Sequence, residues 1–199
     1  MNKKKYILAS SSPRRKFLLK KIGLNFFSKA SQITEDLNLD LPPEAMAEHW
    51  AREKSKYISK IYPKNLIIGA DTIISFKNKI IGKPKNNKNS FEILKKLSGN
   101  THEVITGISF MNLNNNIDFS FNERTFVTFA KLKNEEIDFY IKNNNTLDKA
   151  GSYGIQDFFA VHIKNINGCY YNVMGLPLSS FYYNLKSIQK KYKKNIEIS

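Results

Sequence analysis

Apolar runs of strand length alternate with helix-length amphipathic stretches along the whole chain, and this alternation restricts the fold more than any other feature. Strand–helix repetition lays strands side by side and buries them under helices, so the pattern predicts an α/β architecture. Residues 6–9 read as a first strand. Ser10-Ser11-Ser12 is a polar turn in which Ser12 supplies an N-cap, and Pro13 takes the first helical position, where a missing N–H costs nothing. The helix runs to about Ile22 and stops at Gly23. A second helix is expected over 44–61, a buried strand over 66–70 ended by Asp71, and a hairpin of 73–76 and 79–81 around Lys77-Asn78. Beyond it come a helix over 90–97 ended by Gly99, a long hairpin of 104–113 and 117–130, and a helix over 135–142. A third strand pair (158–164 and 169–173) and a closing helix over 178–193 complete the reading; Phe181, Leu185, Ile188 and Tyr192 share a face of that helix.

No linker, repeat or composition break divides the chain, so its 199 residues are read as one domain, 1–199. Its apolar runs are far too short to span a bilayer. Met1-Asn2-Lys3-Lys4-Lys5 carries the charge of a secretory leader, but only residues 6–9 follow as an apolar stretch, and the secretory reading fails. The single cysteine, Cys169, allows no internal disulfide and no cysteine-based zinc site; it is expected to be a small buried hydrophobe. The cytoplasm is the expected compartment.

The net charge of +15 invites a nucleic-acid reading, but its distribution argues for a solvated surface. Lysines are spread along the chain, densest at Lys3 to Lys5 and at 186–194, and no contiguous basic face with aromatic platforms is legible. A regulatory nucleic-acid-binding protein is therefore the competing class. Of 32 basic residues only Arg14, Arg15, Arg52 and Arg124 are arginines. In a chain that uses lysine almost everywhere, adjacent arginines mark a place where the planar fork is wanted, as it is around phosphate oxygens.

Four segments carry chemistry. Ser10 to Arg15 forms a strand, a small-residue turn and a helix start, where backbone N–H groups and the helix dipole favour an anion. Two cations in the first helical turn are unfavourable by about 0.3–1 kcal/mol each unless an anion arrives; the alternative is a capped helix with two surface arginines. Lys54 falls inside the arc of Met46, Ala47, Trp50, Tyr57, Ile58 and Ile61, so it either snorkels to water or ends in a buried polar site. Asp71, in Gly69-Ala70-Asp71-Thr72, closes an apolar strand, as functional groups do in open α/β sheets, although turn residues do the same; Lys83 follows after the hairpin and is able to return to the same crevice. In residues 148–156, two glycines three apart precede Gln156, an amide able to read a base edge or simply to close a turn. His49, His102 and His162 lack ligand spacing, and neither a Walker lysine loop nor a dinucleotide fingerprint is present.

In this order and spacing the segments resemble the Maf family of nucleotide pyrophosphatases. The resemblance rests on Ile7 to Arg15, Ala51-Arg52-Glu53-Lys54, Gly69 to Thr72, Gly82-Lys83-Pro84, Leu97 to Val104, Leu147 to Gln156 and Asn172 to Leu178, covering most of the chain. It implies a twisted mixed sheet with flanking helices and two lobes around a cleft, often a homodimer, and cleavage between the α and β phosphates of a nucleoside triphosphate with Mg²⁺ or Mn²⁺. It also implies Asp71 as catalytic carboxylate, Ser10, Arg14, Arg15, Lys54 and Lys83 as phosphate-binding residues, and Glu35 with Asp71 near the metal. Tyr153-Gly154-Ile155-Gln156 is similar to the dTTP/UTP branch rather than the 7-methyl-GTP branch, with Arg14, Thr72 and Gln156 at its specificity positions. One departure stands out: after this glutamine the family commonly has a small, glycine-containing sequence, whereas this chain has Asp157-Phe158-Phe159. Those bulkier residues are expected to narrow or reshape the base pocket.

Overall fold

The computed structural model describes residues 6–192; Lys3 to Lys5, Lys193 and Lys194 lie outside them. Its strands are β1 (Tyr6–Leu8), β2 (Phe26–Ser28), β3 (Leu66–Phe76), β4 (Lys79–Ile81), β5 (Thr101–Asn112), β6 (Ile117–Phe129) and β7 (Ile163–Asn167). Its helices are α1 (Pro13–Lys21), α2 (Pro43–Ile61), α3 (Asn87–Leu97), α4 (Asn134–Asn143), the single turn α5 (Tyr170–Val173) and α6 (Leu178–Lys191). All strands join one mixed sheet in the order β2-β1-β3-β5-β6-β7, with β4 also on β3. The pairs β1–β2 and β1–β3 are parallel and the rest antiparallel. No helix among the described residues is long and apolar enough to cross a membrane.

The helices cover the sheet unequally. On one face α2 sets Met46, Ala47 and Trp50 against Ile73 and Ile105, and Ile58 against Ile7, Ile67 and Met111. On the other face the larger core gathers Leu18 and Leu19 of α1, Leu94 of α3, Tyr140 of α4 and Phe181 of α6 around Ile68, Ile108 and Phe110. The alternation of side chains along β3 feeds both faces: Ile67 and Ile73 go to the first core, Ile68 and Ile74 to the second. Two glycines let α2 lie unusually close. A Cβ on Gly69 would stand 2.0 Å from the Ala51 carbonyl oxygen, and one on Gly107 would stand 2.2 Å from that of Ala47. Ser12 caps α1 by accepting the Arg15 N–H, and Gly23 follows the helix end with φ 72°.

Several sequence expectations need correction. Asp71 does not close a strand; β3 runs unbroken from Leu66 to Phe76 because β5 pairs with residues 67–75 throughout, satisfying the backbone beneath the polar side chains. The third strand pair does not form. Residues 158–162 wind into a 3₁₀ helix, and only residues 163–167 pair with the edge of β6. Gly168 (φ 129°) then turns the chain against Thr125, and α5 coils so that the buried Asn172 Nδ2 donates to the Val104 carbonyl and Thr125 Oγ1, both at 3.0 Å. Cys169 is half-buried rather than buried, and Ile61, at the end of α2, is exposed. Strand β2 carries no sequence signal strong enough to have been expected.

Candidate active site

The edge of β3 opposite β5 is shared by two short strands. β1 pairs with Leu66 to Ile68 and β4 with Ile74 to Phe76, so Gly69 to Ile73 has a strand partner on its β5 side only. A cavity of about 320 Å³ opens at that interval. Asp71 and Thr72, adjacent on β3, point to opposite faces there, and each face delivers one cationic side chain to the opening.

From the α2 face comes Lys54, 9% exposed, whose ammonium lies 2.6 Å from Asp71 Oδ1 and 2.6 Å from Glu35 Oε1. It ends in a buried polar site and does not snorkel. The glycine contacts that draw α2 onto the sheet make this reach possible. Asp71 is 5% exposed, and its Oδ2 is buried without a hydrogen-bond partner among the described residues. Leaving a carboxylate oxygen so is costly, and the atom is available to water or a cation. Burial works to raise the Glu35 carboxyl, but the charge and hydrogen bond of Lys54, with Lys83 and Arg15 beyond it, outweigh that and hold it below the usual carboxylate range.

From the opposite face comes Arg15, itself buried. Nε donates to the Gly175 carbonyl (2.9 Å), one terminal nitrogen to Ser10 Oγ (3.2 Å) and the other to Thr72 Oγ1 (2.9 Å). Three of the five N–H donors are thus engaged by protein acceptors. Burial lowers the Arg15 pKa, Asp71 opposes that shift, and Arg14 adds to it. The support continues behind it: Thr72 Oγ1 lies 3.0 Å from Thr106 Oγ1, which donates to the Asn172 carbonyl at 3.0 Å. Thr72, singled out for specificity, is therefore in direct contact with the guanidinium. The backbone contributes less than expected, because the Ser12 and Arg15 N–H groups are already bonded to Ser10 Oγ and Ser12 Oγ.

At the far end Arg14 reaches Asp148 (3.1 Å), and the buried Lys149 braces Asp148 and Asp157 at 2.9 and 3.4 Å. Tyr153 lines the wall and its hydroxyl meets His102 Nε2 at 2.9 Å; burial pushes that histidine down to about 3, so it stays neutral. Gln156 is exposed at the rim. Neither phenyl ring of the Asp157-Phe158-Phe159 departure lines the cavity. Phe159 is buried among Phe129, Tyr140 and Tyr153, while Phe158 lies on the surface against Phe139. The rings therefore do not narrow the cavity directly, although Phe159 packs behind Tyr153, which lines it.

All nine positions singled out from the sequence line this one cavity, Lys83 as an exposed side chain. Sequence reasoning missed Asp148, Lys149, Thr106 and the Gly175 carbonyl; Asp148, Lys149 and Gly175 fall in segments that carry the resemblance and Thr106 does not, and no local pattern assigns any of them a partner. The other two arginines serve elsewhere: Arg52 pairs with Asp118, and Arg124 with Glu44 and Glu103. Among the described residues no group of three or more His, Cys, Asp or Glu side chains is placed to hold a metal ion. Asp71 and Glu35 both pair with the Lys54 ammonium; a hard cation of the Mg²⁺ kind is commonly held by one or two carboxylates together with substrate phosphates.

Five cations (Arg14, Arg15, Lys54, Lys83 and Lys149) and three carboxylates (Glu35, Asp71 and Asp148) line the cavity. Fold and cleft together define an α/β protein with a cleft of mixed charge, richer in cations, built into a gap in its sheet. Residues 5–188 match the family model described as Maf-like protein, and the chain belongs to that family. It is 44% identical over 186 residues to the dTTP/UTP pyrophosphatase of Ruminiclostridium cellulolyticum, covering 93% of this chain and 96% of that protein. The dTTP/UTP pyrophosphatases of Bacillus cytotoxicus and Lachnoclostridium phytofermentans are each 42% identical, over 92% and 90% of this chain and 95% and 93% of their own.

Proposed function

We propose that this protein hydrolyses nucleoside triphosphates, dTTP and UTP foremost, to the monophosphate and pyrophosphate, removing nucleotides from the cytoplasmic pool. The observation that carries the reading is the convergence of Arg15 and Asp71 from opposite faces of the sheet on one cavity that Arg14, Lys54 and Lys83 also line. The names of the relatives support the same substrates.

In this reading the triphosphate, with about four negative charges, lies along Ser10, Arg14, Arg15, Lys54 and Lys83. Arg15 is held so firmly that its free donors meet phosphate oxygens without reorganisation, the condition under which such donors stabilise developing charge best. The water oxygen bonds to the α phosphorus, the bond from that phosphorus to the bridging oxygen of the β phosphate breaks, and pyrophosphate departs. Asp71 takes the proton of the attacking water or holds the cation beside it. A bound Mg²⁺ or Mn²⁺ would supply charge neutralisation and a more acidic water, with Asp71 and Glu35 as its protein ligands. Lys54 sits between those carboxylates and exchanges one of them for phosphate as substrate enters. Arg14, Thr72 and Gln156 set the base preference. Residues 1–199 act as one Maf-like domain, paired as a homodimer.

A pyrophosphate-release assay tests it over UTP, dTTP, CTP, GTP, ATP and 7-methyl-GTP with Mg²⁺ or Mn²⁺. UTP and dTTP are expected to turn over fastest, with one pyrophosphate per monophosphate. Release of orthophosphate instead, or a preference for 7-methyl-GTP, contradicts the proposal.

A further inference from the structure

An amide side chain presents two faces of opposite hydrogen-bonding sense, an oxygen that accepts and an NH₂ that donates. The next residue engages one of these two groups of Gln156. Gln156 Nε2 donates to Asp157 Oδ1 at 2.9 Å. A carboxylate oxygen accepts that bond, so the amide gives Asp157 one N–H and leaves Oε1 without a hydrogen-bond partner among the described residues. Asp157 is anchored in turn: its Oδ2 lies 3.4 Å from the Lys149 ammonium and 3.5 Å from the Tyr140 hydroxyl. Lys149 is buried and also holds Asp148 and the Asn145 carbonyl, while the Tyr140 hydroxyl accepts the Gly154 N–H at 3.1 Å. Gly154 makes the arrangement possible. A Cβ there would stand 2.3 Å from Asp157 Oδ2 and 2.9 Å from Gln156 Nε2, and the Asp157 N–H closes the turn on the Gly154 carbonyl at 3.1 Å.

We propose that Asp157 is a specificity-positioning residue that locks the Gln156 amide with its oxygen toward the base, selecting pyrimidines that offer an N–H at ring position 3. Uracil and thymine carry that donor. Cytosine has a bare ring nitrogen there and would set lone pair against lone pair, leaving two acceptors facing each other unpaired. The inference rests on Gln156 being the base-reading residue, and it concerns the position where this chain departs from the small residue its family commonly has.

The test compares kcat/KM for UTP and CTP in the wild type, Asp157→Asn, Asp157→Ala and Gln156→Ala. An asparagine both donates and accepts, and an alanine does neither, so each frees the amide to turn. The UTP-over-CTP preference is expected to fall about tenfold in both, with CTP improving while UTP worsens. A loosened loop would lower both substrates together; a ratio unchanged within about twofold in whichever Asp157 variant folds overturns the inference. If Gln156→Ala erases the preference while the Asp157 variants keep it, the positioning role fails and the base-reading role of Gln156 stands. If Gln156→Ala itself leaves the preference intact, both fall.

Discussion

At the end of the cleft proposed to hold the phosphates, Arg15, Lys54 and Asp71 are each no more than 9% exposed and project from two helices and a strand. At the end proposed to hold the base, Gln156 stands exposed on a turn and is held by its neighbour Asp157, with Lys149 and Tyr140 behind it. The difference follows from what each end must do. Reacting groups need fixed geometry, which regular elements locked on both faces of a sheet provide, whereas a base-reading wall on turns can be altered without disturbing the chemistry. The join between the ends is Arg14, which starts on α1 and pairs with Asp148 across the cleft.

Breaking the phosphate end is expected to cost most. Asp71→Asn should lower the rate of pyrophosphate release about a thousandfold, within the range for loss of a positioned proton acceptor. Binding of a non-hydrolysable UTP analogue, followed by calorimetry, should remain largely intact; lost binding with retained turnover would refute the assignment. Next in size, Arg15→Lys keeps the charge but loses the three-way anchorage to Gly175, Ser10 and Thr72, and kcat/KM should fall about a hundredfold. A variant close to wild type would mean that charge alone matters there.

The base end is expected to show itself through stability. His102, beneath Tyr153, has a folded pKa of about 3 against an ordinary 6.5. The unfolded chain therefore binds the proton first, and the stabilisation present above pH 6.5 drains away as pH falls toward 3. Between pH 7 and pH 5 the wild type should lose about 2 kcal/mol more unfolding free energy than His102→Gln, which keeps a partner for Tyr153 but does not titrate. Chemical denaturation at the two pH values measures this, and equal losses would show that His102 is not held neutral in the fold.

What could be read from the sequence was mainly what is local. The cap at Ser12-Pro13, the stop at Gly23 and the hairpin at Lys77-Asn78, both residues of which adopt positive φ, depend on neighbours a few residues away. The site was legible as a set of positions because unusual residues announced themselves: paired arginines in a lysine-rich chain, a lysine on an apolar stripe, an acid in an apolar run. Their partners were not legible. Arg15 is fastened by Thr72 and Gly175, 57 and 160 positions away, and whether Lys54 snorkels depends on how closely Gly69 and Gly107 let α2 approach. The polarity of Asp71 suggests a strand end, but the continuous pairing with β5 carries the strand through it. For Phe158 and Phe159 size is visible in the sequence, but direction is set by the aromatic cluster that captures Phe159.

A crystal structure with α,β-methylene-UTP and Mn²⁺ would test the central claim most directly. The phosphates should lie on the guanidinium of Arg15, the α phosphorus facing Asp71 and the metal touching both Asp71 and phosphate oxygen. Phosphates bound away from Arg15, or a nucleotide reversed so that its base meets Asp71, would contradict it.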